Sequence, residues 1–264
     1  MTGSLEAVEA ALDGWRADSP FILGLCGAQG SGKSTLAAGL VDRLAARGLR
    51  AAALSIDDLY LSHEARRQLA EDVHPLFATR GPPGTHDLAL GLSILDGVKA
   101  GRPVTLPGFD KSTDDPTPED AWRRLDEPLD VLIFEGWCVG ARPQAEHQLI
   151  APANALEARA DPQGVWRRQA NSVLGGAYAA LFSRVDRLVL LAAPGFEVVR
   201  RWRLQQEEGL GRQSPGGTRL MNAEEIAVFI QHYERLTRHI LATMPAYADL
   251  VLWIDEARRL RSEV

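Results

Sequence analysis

Residues 27–35 read Gly27-Ala28-Gln29-Gly30-Ser31-Gly32-Lys33-Ser34-Thr35, with the spacing G-x-x-x-x-G-K-[ST]. Glycines at those positions let a backbone bend until successive N–H groups, and the start of a following helix, point at one anion. The ligand such a nest fits is a phosphate chain, so all nine residues are candidates for holding a nucleotide. Lys33 would neutralise its outer phosphates and the Ser34 hydroxyl would ligate Mg²⁺. The bland alternative is a glycine-rich turn with a solvated lysine. Ser55-Ile56-Asp57-Asp58-Leu59-Tyr60 follows, with Asp57 at the end of an apolar run. A carboxylate beside the phosphates could take a proton from an attacking hydroxyl or hold the metal; otherwise it is a solvated loop acid. Asp58 is a candidate substrate contact or a structural neighbour, and Tyr60 a substrate contact or a core plug. Asp130-Val131-Leu132-Ile133-Phe134 runs into Glu135, four apolar residues and an acid, the pattern of a second metal-holding carboxylate. No N-K-x-D string that would select guanine is present, which favours ATP over GTP.

Two further clusters supply polar groups to an acceptor. Arg80-Gly81-Pro82-Pro83-Gly84-Thr85-His86-Asp87 opens a helix, with Thr85 expected as its N-cap and His86 and Asp87 in its first turn. Leu106-Pro107-Gly108-Phe109-Asp110-Lys111-Ser112 puts one of only three lysines in a polar loop. Arg80, His86, Asp87 and Lys111 are the candidate substrate contacts; the alternatives are capping for Thr85 and Asp87 and an exposed Asp110–Lys111 ion pair. Further on, Arg200-Arg201-Trp202-Arg203 begins a helix, and Arg212 and Arg219 follow near glycines. A basic helix beside a glycine-rich loop suits a lid that spreads charge on a transferring phosphoryl group, with Arg201 and Arg203 as its cations. A solvated helix face is the alternative.

The elements that must position these groups alternate. Apolar runs at Phe21–Cys26, Ala51–Ile56, Pro103–Leu106, Val131–Phe134, Leu188–Ala192 and Leu250–Ile254 predict strands. Lys33–Arg47, His86–Lys99, Phe196–Glu208 and Ala223–Thr243 predict helices, the last capped by Asn222 with Glu225. Strand–helix alternation predicts an α/β fold, a mostly parallel doubly wound sheet. Strand ends in such a sheet face the ligand crevice, so Asp57 and Glu135 should emerge beside the nest. Residues 1–264 read as a single domain, with a helical insertion at 142–176 and a lid at 196–220.

Composition narrows the class. With 264 residues, 45% hydrophobic and 24% charged, the chain has core enough to fold without staples, and disorder is excluded. Cys26 and Cys138 both lie in apolar runs and read as buried thiols of a reducing, cytoplasmic compartment. The first 20 residues read as an acidic amphipathic helix, unlike an export signal. No apolar stretch approaches membrane-spanning length, so no membrane partner is expected. A net charge of −6 argues against nucleic acid.

The strings GAQGSGKST, SIDDLY, RGPPGTHDL, LPGFDKS, VLIFEGW and RWRLQQE resemble the P-loop kinases that include uridine kinase, phosphoribulokinase and bacterial pantothenate kinase. They are most similar to plant-type D-glycerate 3-kinases and their fungal and bacterial relatives. The resemblance implies a three-layer P-loop NTPase fold with strand order 2-3-1-4-5 and a helical lid, ATP and Mg²⁺. It puts Asp57 in the place of the catalytic aspartate, Glu135 in that of the Walker-B acid, and Arg201 and Arg203 in the lid. The reaction expected is transfer of the ATP γ-phosphoryl to a hydroxyl of a small hydroxy acid, D-glycerate first, by a monomer or homodimer. Lys111, Arg80, His86 and Asp87 suit a small anion. Kinases of uridine, pantothenate or a sugar phosphate, and a nucleotide-gated binding module, are the alternatives.

Overall fold

Phe21–Gly27 contains no charged residue, and all seven residues of this strand, β1, are buried. A strand without polar alternation must be covered on both faces, which a parallel sheet between two helix layers provides. In the computed structural model, which describes residues 2–15, 20–213 and 221–261, β2 (Ala51–Ser55), β3 (Val131–Gly136), β4 (Arg187–Ala192) and β5 (Leu250–Trp253) join β1. The order is 2-3-1-4-5, as the resemblance implies, and every neighbouring pair is parallel, as the alternation predicts.

The helices are α1 (Thr2–Trp15), α2 (Lys33–Ala46), α3 (His63–Asp72), α4 (Leu88–Lys99), α5 (Ala155–Ala160), α6 (Val165–Val173), α7 (Ala179–Phe182), α8 (Glu197–Gln213), α9 (Ala223–Phe229) and α10 (Gln231–Thr243). On one face α2 buries Leu36, Leu40 and Leu44, a four-residue spacing that makes a single stripe, against Leu23, Leu25 and Ile133. There α1 adds Val8 and Leu12, and α8 adds Val199 and Trp202. On the other face Ile94, Leu95 and Val98 of α4 and Tyr233 and Ile240 of α10 cover Ile22, Leu132 and Phe134. Cys26 and Cys138 are free and fully buried, and burial pushes the Cys26 thiol up to about 12. No helix among the described residues is long and apolar enough to cross a membrane.

Three expectations are corrected. Val104–Leu106, within the expected strand at 103–106, pairs outside the main sheet, in an antiparallel ribbon with Arg123–Leu125. Arg102, Arg123 and Arg124 are exposed around it, and such a strand cannot be covered on both faces. The helix expected from His86 begins at Leu88, because Asp87 rather than Thr85 caps it, accepting from Leu90 N–H at 2.9 Å. Thr85 Oγ1 is taken by its own turn, accepting from Gly81 N–H and donating to the Pro82 carbonyl. The helix expected over 223–243 breaks at Ile230. Side chains of Gln231 and His232 bond the Ala227 and Phe229 carbonyls and so compete with the helix ladder.

Residues 142–176 are largely helical, tied together by buried Arg167, which donates to the Leu149 and Ile150 carbonyls and pairs with Asp161. Residues 214–220, and with them Arg219, lie outside the described residues, and so does the side chain of Arg212. The core fixes where the strand tips lie. Phe134→Ala, at a fully buried position one residue before Glu135, should cost about 3–5 kcal/mol of unfolding free energy in urea titration.

Candidate active site

Three adjacent strand tips make the floor of the site. In the sheet register Glu135 of β3 lies across from Leu25 on one side and Ser55 on the other, so β1 delivers the glycine-rich loop and β2 delivers Asp57 on either side of it. The loop turns through Gly30 (φ 75°) and Gly32 (φ 93°) before α2 starts at Lys33. A Cβ on Gly30 would lie 2.6 Å from Cβ of Trp202, so α8 approaches too closely for any side chain there. The first amides of α2 have no carbonyl within their own helix to bond, which leaves them facing outward as anion donors.

Glu135 is only 5% exposed at its side chain. Ser34 Oγ donates to its Oε1 at 2.8 Å, and Lys33 Nζ stands 3.9 Å from its Oε2. Oε2 is buried with no hydrogen-bond partner. A hydroxyl and an unsatisfied carboxylate oxygen side by side next to an anion nest are hard oxygen donors of the sort Mg²⁺ takes together with phosphate oxygens, so these residues fit that ion.

Asp57 follows β2 in a tight turn (Ile56–Leu59) capped by Ser55, whose Oγ accepts from Asp57 N–H at 3.2 Å. Asp58 closes the same capping box, its carboxylate accepting from Ser55 N–H at 3.2 Å. The structure thus gives Asp58 a backbone role. Asp57 is 30% exposed and engaged at both oxygens: Tyr60 Oη donates to Oδ1 at 2.6 Å and Lys111 Nζ to Oδ2 at 2.8 Å. Burial alone would raise this carboxyl, but Lys111 and Lys33 together hold it well below the usual carboxylate range. Asp110, the exposed partner considered for Lys111, instead accepts from Ser112.

The Tyr60 ring is buried and stacks on His86 with centroids 4.7 Å apart, edge-on to Phe109 at 5.2 Å. Tyr60 is therefore both core plug and Asp57 partner. His86 bridges to Tyr60 through the backbone and is buried. Burial lowers its imidazole to about 4, so the ring is neutral near pH 7. Gly84 N–H donates to Tyr178 Oη, which also hydrogen-bonds His86 Nδ1 at 2.5 Å. His86 Nε2 is buried and has no partner among the described residues. Arg80 pairs with Asp114 and lies over the Phe109 ring.

Asp114 was invisible to sequence reasoning. It takes positive φ (61°), and Arg66, itself fully buried, grips both its carbonyl (2.8 Å) and its carboxylate (2.7 Å). With Arg80 this fastens the hairpin of Phe109–Asp110 and Asp115–Pro116, from which Lys111 reaches the site. Arg258 is the second residue missed: at φ 63°, its Nε donates to the Gly30 carbonyl at 2.5 Å, its guanidinium lies over Trp202, and Nη2 donates to Gln205 at 2.9 Å. It ties the chain end to loop and helix α8 at once. Arg201 and Arg203 diverge. Arg201 meets Glu256 on the outer face, whereas Arg203 pairs with Glu207 and lies over Phe229.

The sequence profile of the phosphoribulokinase/uridine kinase family matches residues 22–141, from β1 past Glu135. Over 228 residues the chain is 35% identical to a protein of Schizosaccharomyces pombe described as uncharacterized kinase mug58, covering 81% of this chain and 78% of that one. It is 30% identical over 257 residues to the chloroplastic D-glycerate 3-kinase of Arabidopsis thaliana, covering 90% of this chain and spanning about half (53%) of that enzyme's length. Among solved structures, the D-glycerate 3-kinase of Cryptococcus neoformans superposes with a TM-score of 0.75 at 26% identity, over 98% and 96% of the two chains. The chain belongs to the phosphoribulokinase/uridine kinase family of P-loop proteins. Within that family it is a kinase, a phosphotransferase that binds nucleotide at its glycine-rich loop.

Two outcomes follow from this geometry. Arg258→Ala should weaken ATP binding about fivefold, the loss of about 1 kcal/mol for one hydrogen bond, read by titrating the fluorescence of neighbouring Trp202. Burial pushes Asp58 up to about 6, helped by the charges of Asp57 and Glu135 against the Ser55 N–H and Lys111. Because that value exceeds the unfolded one, the folded state keeps the proton longer and stability falls as pH rises from about 4 to about 6. Asp58→Asn keeps an acceptor for Ser55 and removes the charge. It should raise the melting temperature above pH 6, with the gain vanishing near pH 4.

Proposed function

We propose that the chain is an ATP-dependent kinase of a small hydroxy acid, with D-glycerate as acceptor and its 3-hydroxyl as the nucleophile. The observation that carries the reading is the 2.8 Å contact of Lys111, one of three lysines in the chain, with Asp57. It sets a cation suited to an acceptor's carboxylate directly beside a candidate general base. The relatives named D-glycerate 3-kinase support the same acceptor. Residues 1–264 are taken as one kinase domain, with the helical stretch 142–176 inserted and 196–220 as its lid.

In this reading the amides of residues 27–35 cradle the phosphate chain and Lys33 turns from Glu135 to its outer phosphates. Ser34 and Glu135 hold Mg²⁺, which supplies neutralising charge on the phosphate oxygens when bound. Asp57 accepts the proton of the acceptor hydroxyl, and Tyr60 keeps the carboxylate oriented through Oδ1. Lys111 takes the acceptor's carboxylate. His86 Nε2–H donates to one of its oxygens, and Asp87, whose cap uses Oδ1, has a second oxygen for a hydroxyl. Arg80 shapes the wall through Asp114. Arg201 and Arg203 are the lid cations, each exchanging its present carboxylate for phosphate as the lid closes.

A screen of small hydroxy acids with ATP, read by mass spectrometry, should give phosphoglycerate as the dominant product. Phosphorylation of a nucleoside or pantothenate in its place would overturn the acceptor. Asp57→Asn should lower kcat at least about 100-fold with ATP affinity nearly unchanged. Lys33→Ala should impair both.

A further inference from the structure

The charges around Asp57 differ in how firmly they are placed. Lys33 comes from the first turn of α2 and is largely buried beside Glu135. Lys111 stands on the hairpin that Arg66 and Arg80 fasten through Asp114, yet its own side chain is 58% exposed and reaches Asp57 from solvent. Asp110, next to it, is engaged with Ser112, so Asp57 is the carboxylate with which Lys111 pairs among the described residues. An exposed ion pair is weak and exchanges readily for another of the same kind. A carboxylate arriving on an acceptor offers that exchange.

We propose that Lys111 makes the proton-accepting capacity of Asp57 conditional on the acceptor's own negative charge. This rests on the kinase reading above and deepens it. An acceptor carboxylate draws the ammonium from Asp57 Oδ2, and Oδ2 then receives the hydroxyl proton. The acceptor oxygen forms its bond to the γ-phosphorus, the bond from that phosphorus to the β,γ-bridging oxygen breaks, and ADP leaves with the electron pair. The proton passes from Asp57 to solvent. Water and uncharged alcohols bring no anion, so the Lys111–Asp57 pair stays closed and ATP is not wasted on hydrolysis. Selectivity for hydroxy acids is then a property of the base as well as of the binding pocket.

The pH dependence of hydrolysis reads this pair. The other groups that Asp57 feels are Lys33 of α2, Asp58 and Tyr60 of its own turn, His86 before α4, Cys138 after β3 and Tyr233 of α10. Substitution at Lys111 leaves all six in place, so a shift in the acid limb reports the loss of the ammonium.

The test compares the full chain with Lys111→Gln and Lys111→Arg. Measured are ATP hydrolysis without acceptor across pH, and kcat/KM for D-glycerate against its uncharged amide. Lys111→Gln should raise acceptor-free hydrolysis at least fivefold, move its acid limb to higher pH, and reduce the preference for glycerate over the amide at least tenfold. Lys111→Arg, which keeps the charge, should keep hydrolysis low. The proposal is overturned if Lys111→Gln weakens glycerate use while hydrolysis and its acid limb match the parent, since Lys111 would then be an anchor alone. If the parent phosphorylates a different acid, the choice of glycerate fails. Hydrolysis needs only ATP and water, and it still decides the role of Lys111.

Discussion

A carboxylate at the end of a buried strand is the constraint around which this molecule is arranged. Glu135 ends a run of four apolar residues, and taking its charge out of water costs several kcal/mol unless compensating groups lie within reach. The compensation comes from one place, the start of α2, where Ser34 satisfies Oε1 and Lys33 stands off Oε2. For those two residues to arrive there, β1 must neighbour β3 in parallel and the loop between β1 and α2 must curl through positive φ at Gly30 and Gly32. Strand order, loop shape and the position of the lysine are thus one requirement seen at three scales.

The Asp57 side repeats the arrangement with a different balance. Asp57 has a hydroxyl on one oxygen and an ammonium on the other, as Glu135 has, but its lysine is exposed where Lys33 is largely buried. The two acid–lysine pairs are close enough that Lys33 also acts on Asp57. Were Lys33 drawn to a phosphate chain, the buried Glu135 carboxylate would lose its nearest cation, and a divalent ion held by Ser34 and Glu135 would make good that charge.

How much of this was readable from the sequence depended on the range of the interaction involved. β1, the glycine-rich loop, Asp57 and Glu135 are local patterns of apolar run followed by a turn or an acid, and the structure brings them together in the expected order. Thr85 and Asp87 are both competent caps two residues apart. The tight Gly81–Thr85 turn, which claims the threonine hydroxyl, decided between them. Arg201 and Arg203 are two residues apart, a spacing that never shares a helix face, so their divergence to Glu256 and Glu207 was implicit in helix geometry. Asp114 and Arg258 carried no local signal. The first is defined by Arg66, 48 residues earlier, and the second by Gly30, 228 residues away.

Those two long-range residues explain how a site made largely of loops keeps its shape. Loop backbone costs about 1–2 kcal/mol per residue to order, and polar side chains on it compete with water. Here each half of the site is pinned by one arginine bonded to loop backbone, fully buried at Arg66 and half-buried at Arg258. Arg66 holds the hairpin that carries Lys111 through the Leu61, Ala78 and Asp114 carbonyls. Arg258 holds the glycine-rich loop at Gly30 while resting on Trp202 of α8. A guanidinium suits both positions because its planar fork meets several acceptors at once, three carbonyls for Arg66 and a carbonyl with the Gln205 amide oxygen for Arg258. Lys111, Arg201 and Arg203 differ in kind, each meeting a carboxylate through its side chain rather than bracing backbone.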